Sequence, residues 1–279
     1  EKKLKRAGIP TVHFVSPSIW AWRKSRLKKI VNSMSHILAL YPFEPALYAQ
    51  TSVKCSYVGH PMADVIPLQK NRDAMRERLG IPPGQSVIAL LPGSRQAELH
   101  YMAETFIATA QLLHADNPNA LFLVPMTTGE TRRQFETALW KLKAHELPLK
   151  IMFGHSLDAL TACDVALVAS GTATLEAALV GRPMVITYKI SPWSWRIMRH
   201  MGYQPWIGLP NILLNDSFIP EVLQNDATPD GLANALLAEM NRYASDVSVV
   251  ERLTELHHSL IRDTPSLCAQ SIAQVIGRT

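Results

Sequence analysis

The run Val165-Ala-Leu-Val-Ala169 is uniformly apolar, with no polar residue in alternation. A strand with one solvated face alternates, whereas a strand covered on both faces does not, so this run predicts a buried strand of a parallel sheet. Ser170-Gly171-Thr172 breaks the run, and Ala173–Val180 is then rich in strong helix formers. Gly181 and Pro183 stop that helix, and Pro183–Thr187 reads as the next strand. Strand, tight turn, helix and strand make a βαβ unit, which commits the surrounding chain to an α/β fold.

The unit also says where a site would lie. Its turn is at the carboxyl end of the strand and at a helix N-terminus, where free N–H groups and the positive end of the helix dipole favour an anion such as a diphosphate. Glu176 follows about one turn into the helix, within reach of sugar hydroxyls. A plainer account fits the same residues: Ser170 or Thr172 caps the helix, and Glu176 favours its first turns.

A second junction of this kind comes earlier. Ser86–Leu91 is an apolar strand that delivers Pro92-Gly93-Ser94-Arg95 into a turn before a long helix, roughly Ala97–His114. Gly93 permits close backbone approach, and Arg95 offers a planar fork suited to phosphate, although an exposed loop arginine needs no ligand. Ala120–Pro125 and Leu149–Phe153 read as further strands, with a helix at Arg132–His145 between them and another at Arg72–Leu79. Tyr188–Trp195 leads into one more helix. Leu209-Pro210-Asn211 reads as a turn whose Asn side chain either reaches a ligand or caps. The last stretch is helical, free of Gly and Pro between Gly231 and Pro265.

The opening residues up to Pro10 read as the tail of a helix with Gly8 past its end, followed by a strand at Thr11–Val15. The first α/β domain is therefore expected to begin before Glu1. A tryptophan-dense turn carrying Trp20 and Trp22 runs into a helix expected over Arg23–Met34, with Leu27, Ile30, Val31 and Met34 on one face. Arg23, Lys24, Arg26, Lys28 and Lys29 project mostly from the other face. Either this is a solvated basic face, or it meets lipid phosphates with the tryptophans at the interface. Strands follow at His36–Leu40 and Ser56–Val58, with a helix opening at Pro42-Phe43-Glu44.

Gly59-His60-Pro61 punctuates strongly and marks the expected domain boundary. His60 reads as a linker residue or, less plainly, as a catalytic base. The expected organisation is an N-terminal remainder over 1–60, a second α/β domain over 61–245, and helices over 246–279 packing back across both.

At 279 residues, 47% hydrophobic and 18% charged, the chain is long enough for two cores. A formal net charge of +5 points to anionic partners such as a phosphorylated ligand or lipid headgroups, and no recognised nucleic-acid-binding motif is present. Cys55, Cys163 and Cys268 are widely spaced, which argues against a disulfide framework or a zinc site. No apolar run reaches membrane-span length.

SPSIWAWR (16–23), LLPGSR (90–95), ASGTATLEAAL (169–179) and GLPNILL (208–214), in that order and spacing, resemble the lipid-A-disaccharide synthase family. These are inverting glycosyltransferases of the GT-B architecture, with two Rossmann-like domains. The resemblance runs from Lys3 to Gly277; its tryptophan motif is highly specific to the family, while the Gly-Ser-Arg and Ser-Gly-Thr…Glu motifs are shared more loosely with other enzymes handling UDP-sugars. It implies an incomplete N-terminal domain, because members carry further N-terminal residues thought to supply a catalytic aspartate. Inside this chain only His13 and His60 are candidate bases. The resemblance also implies UDP-2,3-diacylglucosamine as donor and 2,3-diacylglucosamine 1-phosphate (lipid X) as acceptor, joined β-1,6 with inversion and release of UDP in lipid A biosynthesis of Gram-negative bacteria. UDP would lie on Gly93, Ser94, Arg95, Ser170, Gly171 and Thr172, with Glu176 on the ribose and Asn211 on the nucleotide side. Trp20, Trp22, Arg23, Arg26, Lys28 and Lys29 would face the acceptor or an anionic membrane. No cofactor or metal is implied, and the enzyme would be peripheral on the cytoplasmic face of the inner membrane, with a homodimer as one state. Two other classes compete: a soluble UDP-GlcNAc-handling enzyme of similar fold, such as a 2-epimerase or the peptidoglycan N-acetylglucosaminyltransferase, and a non-catalytic UDP-binding fragment. The first has no need of the SPSIWAWR tryptophans, and the second would bind UDP without turnover.

Overall fold

The computed structural model describes residues 1–22, 26–201 and 205–277. They form two compact units: Glu1–Pro67 with Trp193–Pro205 and Glu255–Thr279, and Leu68–Pro192 with Trp206–Thr254.

The first unit is built on a parallel sheet of β1 (Val12–Phe14), β2 (His36–Ala39) and β3 (Lys54–Tyr57), in that order. Every residue of β2 is buried, as the central strand of such a sheet requires. Ile19, Ile30, Met34, Ile37, Tyr48 and Val53 form one core cluster, and Leu38, Leu40 and Val58 another. Of the helix expected over Arg23–Met34, the described residues form Leu27–Val31, which ends at Asn32-Ser33. Arg23 lies outside the described residues.

The end of the chain is tied into this unit. The Tyr57 hydroxyl donates to the Ser259 carbonyl at 2.6 Å, and the Asp64 carboxylate accepts the N–H groups of Arg262, Asp263 and Thr264 at 3.0, 3.2 and 2.8 Å. Gly59 has φ +85°, and a Cβ there would lie 2.5 Å from Arg262 Cβ and 2.9 Å from the Leu260 carbonyl oxygen. The glycine of the Gly-His-Pro segment is thus the seat of the returning chain. The terminal helical stretch is broken into Pro229–Ser245, Val247–Leu260 and Thr264–Val275. Aspartates make the breaks: Asp246 accepts from the Ser248 N–H at 2.9 Å, and Asp263 is the N-cap of the last helix.

The second unit is an all-parallel sheet of β4 (Ser86–Leu91), β5 (Ala120–Met126), β6 (Leu149–Phe153), β7 (Val165–Ala169), β8 (Met184–Tyr188) and β9 (Glu221–Leu223). Their spatial order is β6-β5-β4-β7-β8-β9. Helices at Gln96–Asp116, Gly129–Lys141, Ser156–Ala162 and Thr172–Val180 connect the strands. Leu99, Met102, Phe106 and Leu113 of the first of these pack with Phe122 and Val124 of β5, Leu167 of β7, and Leu232 and Leu236 of helix Pro229–Ser245. Each such side chain contributes about 1.5–3 kcal/mol on burial. Residues 209–211, expected as a turn, open a short helix, Leu209–Leu214, with Pro210 in its first turn.

At the amino end of the sheet, Asp164 fastens β7 to β4. Its carboxylate accepts from Arg72 Nη1 at 2.9 Å, Arg76 Nη2 at 2.7 Å and the Val87 N–H at 2.9 Å. This end is pinned and the carboxyl end is left for ligands.

Candidate nucleotide-sugar site

β4 and β7 are neighbours in the sheet, with Leu91 opposite Val168. From β4 the chain crosses to β5, and from β7 it crosses the other way to β8, so their carboxyl ends open into the crevice of a topological switch point. A cavity of about 330 Å³ lies there. Gly93, Ser94, Arg95, Ser170, Gly171, Thr172 and Glu176 all line it, so the structure brings together every expected nucleotide residue except Asn211. Met126 at the end of β5 and Thr127 after it, and Gly154 and Ser156 after β6, line it too. Sequence reasoning missed these four. Their signal was position alone, since each lies at or just beyond the carboxyl end of a parallel strand.

The turn after β4 is organised by a carboxylate that the sequence reading also missed. Glu98 Oε2 accepts the N–H groups of Ser94 at 2.9 Å and Arg95 at 3.2 Å, while Oε1 pairs with Arg95 Nη1 at 2.9 Å. Gly93 has φ +126°, and a Cβ there would lie 2.6 Å from Glu98 Cβ, so only glycine lets the carboxylate in. A Glu three residues past the N-cap was the available signal. The Arg95 side chain is 79% exposed and reaches into solvent at the cavity.

The turn after β7 is different. Neither Ser170 nor Thr172 caps the helix Thr172–Val180: its N-cap is Gly171, which makes no side-chain cap bond to the first N–H groups, and the Gly171 carbonyl accepts from the Thr174 hydroxyl at 2.7 Å. The Ser170 hydroxyl donates instead to the Ile207 carbonyl at 3.1 Å. The plainer capping account therefore fails, and the positive helix end faces the cavity without a side-chain cap. One turn on, Glu176 Oε2 accepts from Ser156 Oγ at 2.8 Å, which orients the carboxylate. Among the described lining residues one cation, Arg95, stands against two carboxylates, Glu98 and Glu176. Attraction for an anion must come from the helix end and the guanidinium.

Asn211 is fully buried away from this cavity. Its Nδ2 donates to the Ile219 carbonyl at 2.8 Å and to Glu221 Oε1 at 2.9 Å, and its Oδ1 accepts the Ile219 N–H at 2.8 Å. Glu221 also accepts the Ile207 N–H at 2.9 Å. Asn211 therefore bears on the turn indirectly, through Glu221 and the segment that receives the Ser170 hydroxyl.

Trp20 corrects the membrane expectation. It is 8% exposed, edge-on to Tyr41 and Phe43 at 6.2 and 5.5 Å, and its Nε1 donates to Glu44 Oε1 at 3.3 Å. Glu44 is itself buried, and its Oε2 accepts the N–H groups of Leu40 at 3.1 Å and Tyr41 at 3.0 Å. Burial pushes its carboxyl above the ordinary range, against the pull of these bonds. The tryptophan is core. The Trp22 side chain and Arg23 lie outside the described residues, whereas Arg26, Lys28 and Lys29 are exposed.

Of the candidate bases, His13 Nδ1 lies 2.8 Å from Glu1 Oε1. His60 is buried, stacks on Tyr41 at 5.8 Å between ring centroids, and caps the helix Pro61–Val65 by accepting the Met62 N–H on Nδ1 at 3.2 Å. Burial lowers its pKa, with Asp64 opposing. It is an N-cap rather than a linker residue. No described helix is long and apolar enough to cross a membrane.

Solved structures share this fold. WaaG, a glycosyltransferase involved in lipopolysaccharide biosynthesis, is similar at TM-score 0.54 and 16% identity, over 88% of this chain and 63% of that one. The S. aureus MnaA–UDP co-structure is similar at TM-score 0.65 and 8% identity, over 99% of this chain and 72% of that one. Parallel units of this kind, with the switch-point crevice, define the class as the GT-B glycosyltransferase fold. A family model described as lipid-A-disaccharide synthetase matches residues 1–274. The lipid-A-disaccharide synthase of Azoarcus sp. (strain BH72) is 54% identical over 272 residues, covering 98% of this chain and 70% of that protein. The chain belongs to the lipid-A-disaccharide synthase family, glycosyltransferases of lipid A biosynthesis.

Proposed function

We propose that the cavity between the turns after β4 and β7 holds the UDP of the donor sugar. Its diphosphate lies over the start of helix Thr172–Val180 beside Arg95, and its ribose meets Glu176. The observation that carries this reading is the convergence, in one cavity, of a helix N-terminus without a side-chain cap, an exposed guanidinium and an oriented carboxylate. The first two suit a diphosphate, and the carboxylate suits a sugar diol.

The donor is UDP-2,3-diacylglucosamine and the acceptor 2,3-diacylglucosamine 1-phosphate. The acceptor 6-hydroxyl attacks the anomeric carbon opposite the diphosphate and gives up its proton to a general base; the new C–O bond forms as the bond to UDP breaks, and UDP leaves with the electron pair. Charge grows on the departing diphosphate oxygen, where fixed N–H dipoles and Arg95 stabilise it without reorganisation. Both substrates are acylated, so the protein works as a peripheral protein on the cytoplasmic face of the inner membrane. The exposed Arg26, Lys28 and Lys29 supply attraction to lipid phosphates. Calorimetric titration with UDP and with uridine, in the presence of a chelator, tests the site. UDP is expected to bind much the tighter; equal affinities would mean that the diphosphate makes no use of Arg95 or the helix end, and would overturn the reading.

A further inference from the structure

We propose that the helix Pro192–Met201 lies on the surface of an anionic phospholipid bilayer, with Trp193 and Ile197 in the headgroup boundary and Arg196 among the phosphates. This rests on the peripheral-membrane part of the function proposed above and names the element that makes the contact.

Trp193 and Ile197 stand one helical turn apart on a common face, 77% and 58% exposed. Single exposed apolar residues are ordinary on soluble proteins, but an exposed Trp–Ile pair on one helix face is an unpartnered stripe. The other tryptophans with described rings differ. Trp20 is core, Trp195 and Trp206 are half-buried, and Trp140, though 70% exposed, is stacked on His145 at 4.8 Å.

Charge identifies the occupant. Arg196 is exposed beside the apolar pair, and Arg199 follows in the sequence. Between Glu176 and Asp216 the chain contains no acidic residue. Apolar residues flanked by arginines, in a stretch without acids, complement an anionic headgroup layer. A second copy of the chain is a poorer match, because a two-fold contact through this face would bring like charges together. The helix is about 15 Å long, too short to span a bilayer and suited to lying in its plane.

The test is sedimentation of the whole chain with phosphatidylcholine vesicles, with and without phosphatidylglycerol. Trp193→Ser/Ile197→Ser should lose binding to the anionic vesicles by about tenfold or more, and Arg196→Glu by about fivefold, with far-ultraviolet circular dichroism and UDP affinity unchanged. As a second measurement, brominated anionic lipids should quench the fluorescence of the parent more than that of Trp193→Phe. If Arg26/Lys28/Lys29→Glu abolishes binding while the serine variant binds as the parent does, the membrane reading stands and this inference falls. If the parent binds no vesicle, both fall. A change in self-association without a change in vesicle binding would assign the face to a second copy and would also overturn the inference.

Discussion

Ser156 Oγ donates to Glu176 Oε2 at 2.8 Å, joining the helix after β6 to the helix after β7 across the mouth of the cavity. The carboxylate is half-buried and takes its aim from this bond. Ser156→Ala should therefore weaken UDP binding by about 1 kcal/mol while leaving the melting temperature nearly unchanged. Calorimetry on the variant checks this, and parent-like affinity would show that Glu176 needs no such support.

Glu98 occupies the place an anion would take at the turn after β4, holding the Ser94 and Arg95 N–H groups and the Arg95 guanidinium. Glu98→Gln keeps an acceptor for the N–H groups but frees the guanidinium and removes a negative charge. UDP should bind tighter by about 0.5–1 kcal/mol, and the gain should shrink with added salt. Weaker binding would instead mean that the charged pair sets the working position of Arg95.

Gly59→Ala should destabilise the first unit by about 2 kcal/mol or more, because φ is +85° and the added methyl meets Arg262 Cβ at 2.5 Å. Denaturant unfolding measures the loss. UDP affinity should not change, since the cavity belongs entirely to the second unit.

His60 is buried and its pKa is lowered, so the folded state binds its proton less readily than the unfolded chain does. Its contribution to stability is full above the unfolded value of about 6.5 and is lost as pH falls through the lower folded value. The stability of the parent should decline on acidification from about pH 6.5, and His60→Asn, which keeps a capping acceptor, should flatten that decline. Denaturant midpoints across the range read it directly; an identical pH slope in the variant would clear His60 of the effect.

Much of the second unit was legible. The runs Ser86–Leu91, Leu149–Phe153 and Val165–Ala169 were bounded correctly because each is a compact apolar segment between turn residues. From two strand–turn–helix junctions most of the cavity followed. What stayed hidden depends on partners distant in sequence. Trp20 reads locally as interfacial, but its place is decided by Glu44, Tyr41 and Phe43. β9 is three residues long and offers no pattern, and Asn211 is claimed by Ile219 and Glu221. The breaks at Asp246 and Asp263 come from side chains bonding to backbone, which a search for Gly and Pro overlooks. Trp193 is the converse case, since only its exposure distinguishes it from Trp20.

The most direct test of the nucleotide site is a calorimetric comparison of UDP binding by the parent, Arg95→Ala and Glu176→Ala without divalent ions. Both side chains line the cavity, one charged toward the diphosphate and one toward the ribose. Each variant should lose about 1.5–3 kcal/mol of binding free energy with an intact fold. Unchanged UDP affinity in both variants would contradict the assignment and move the nucleotide away from the β4–β7 crevice.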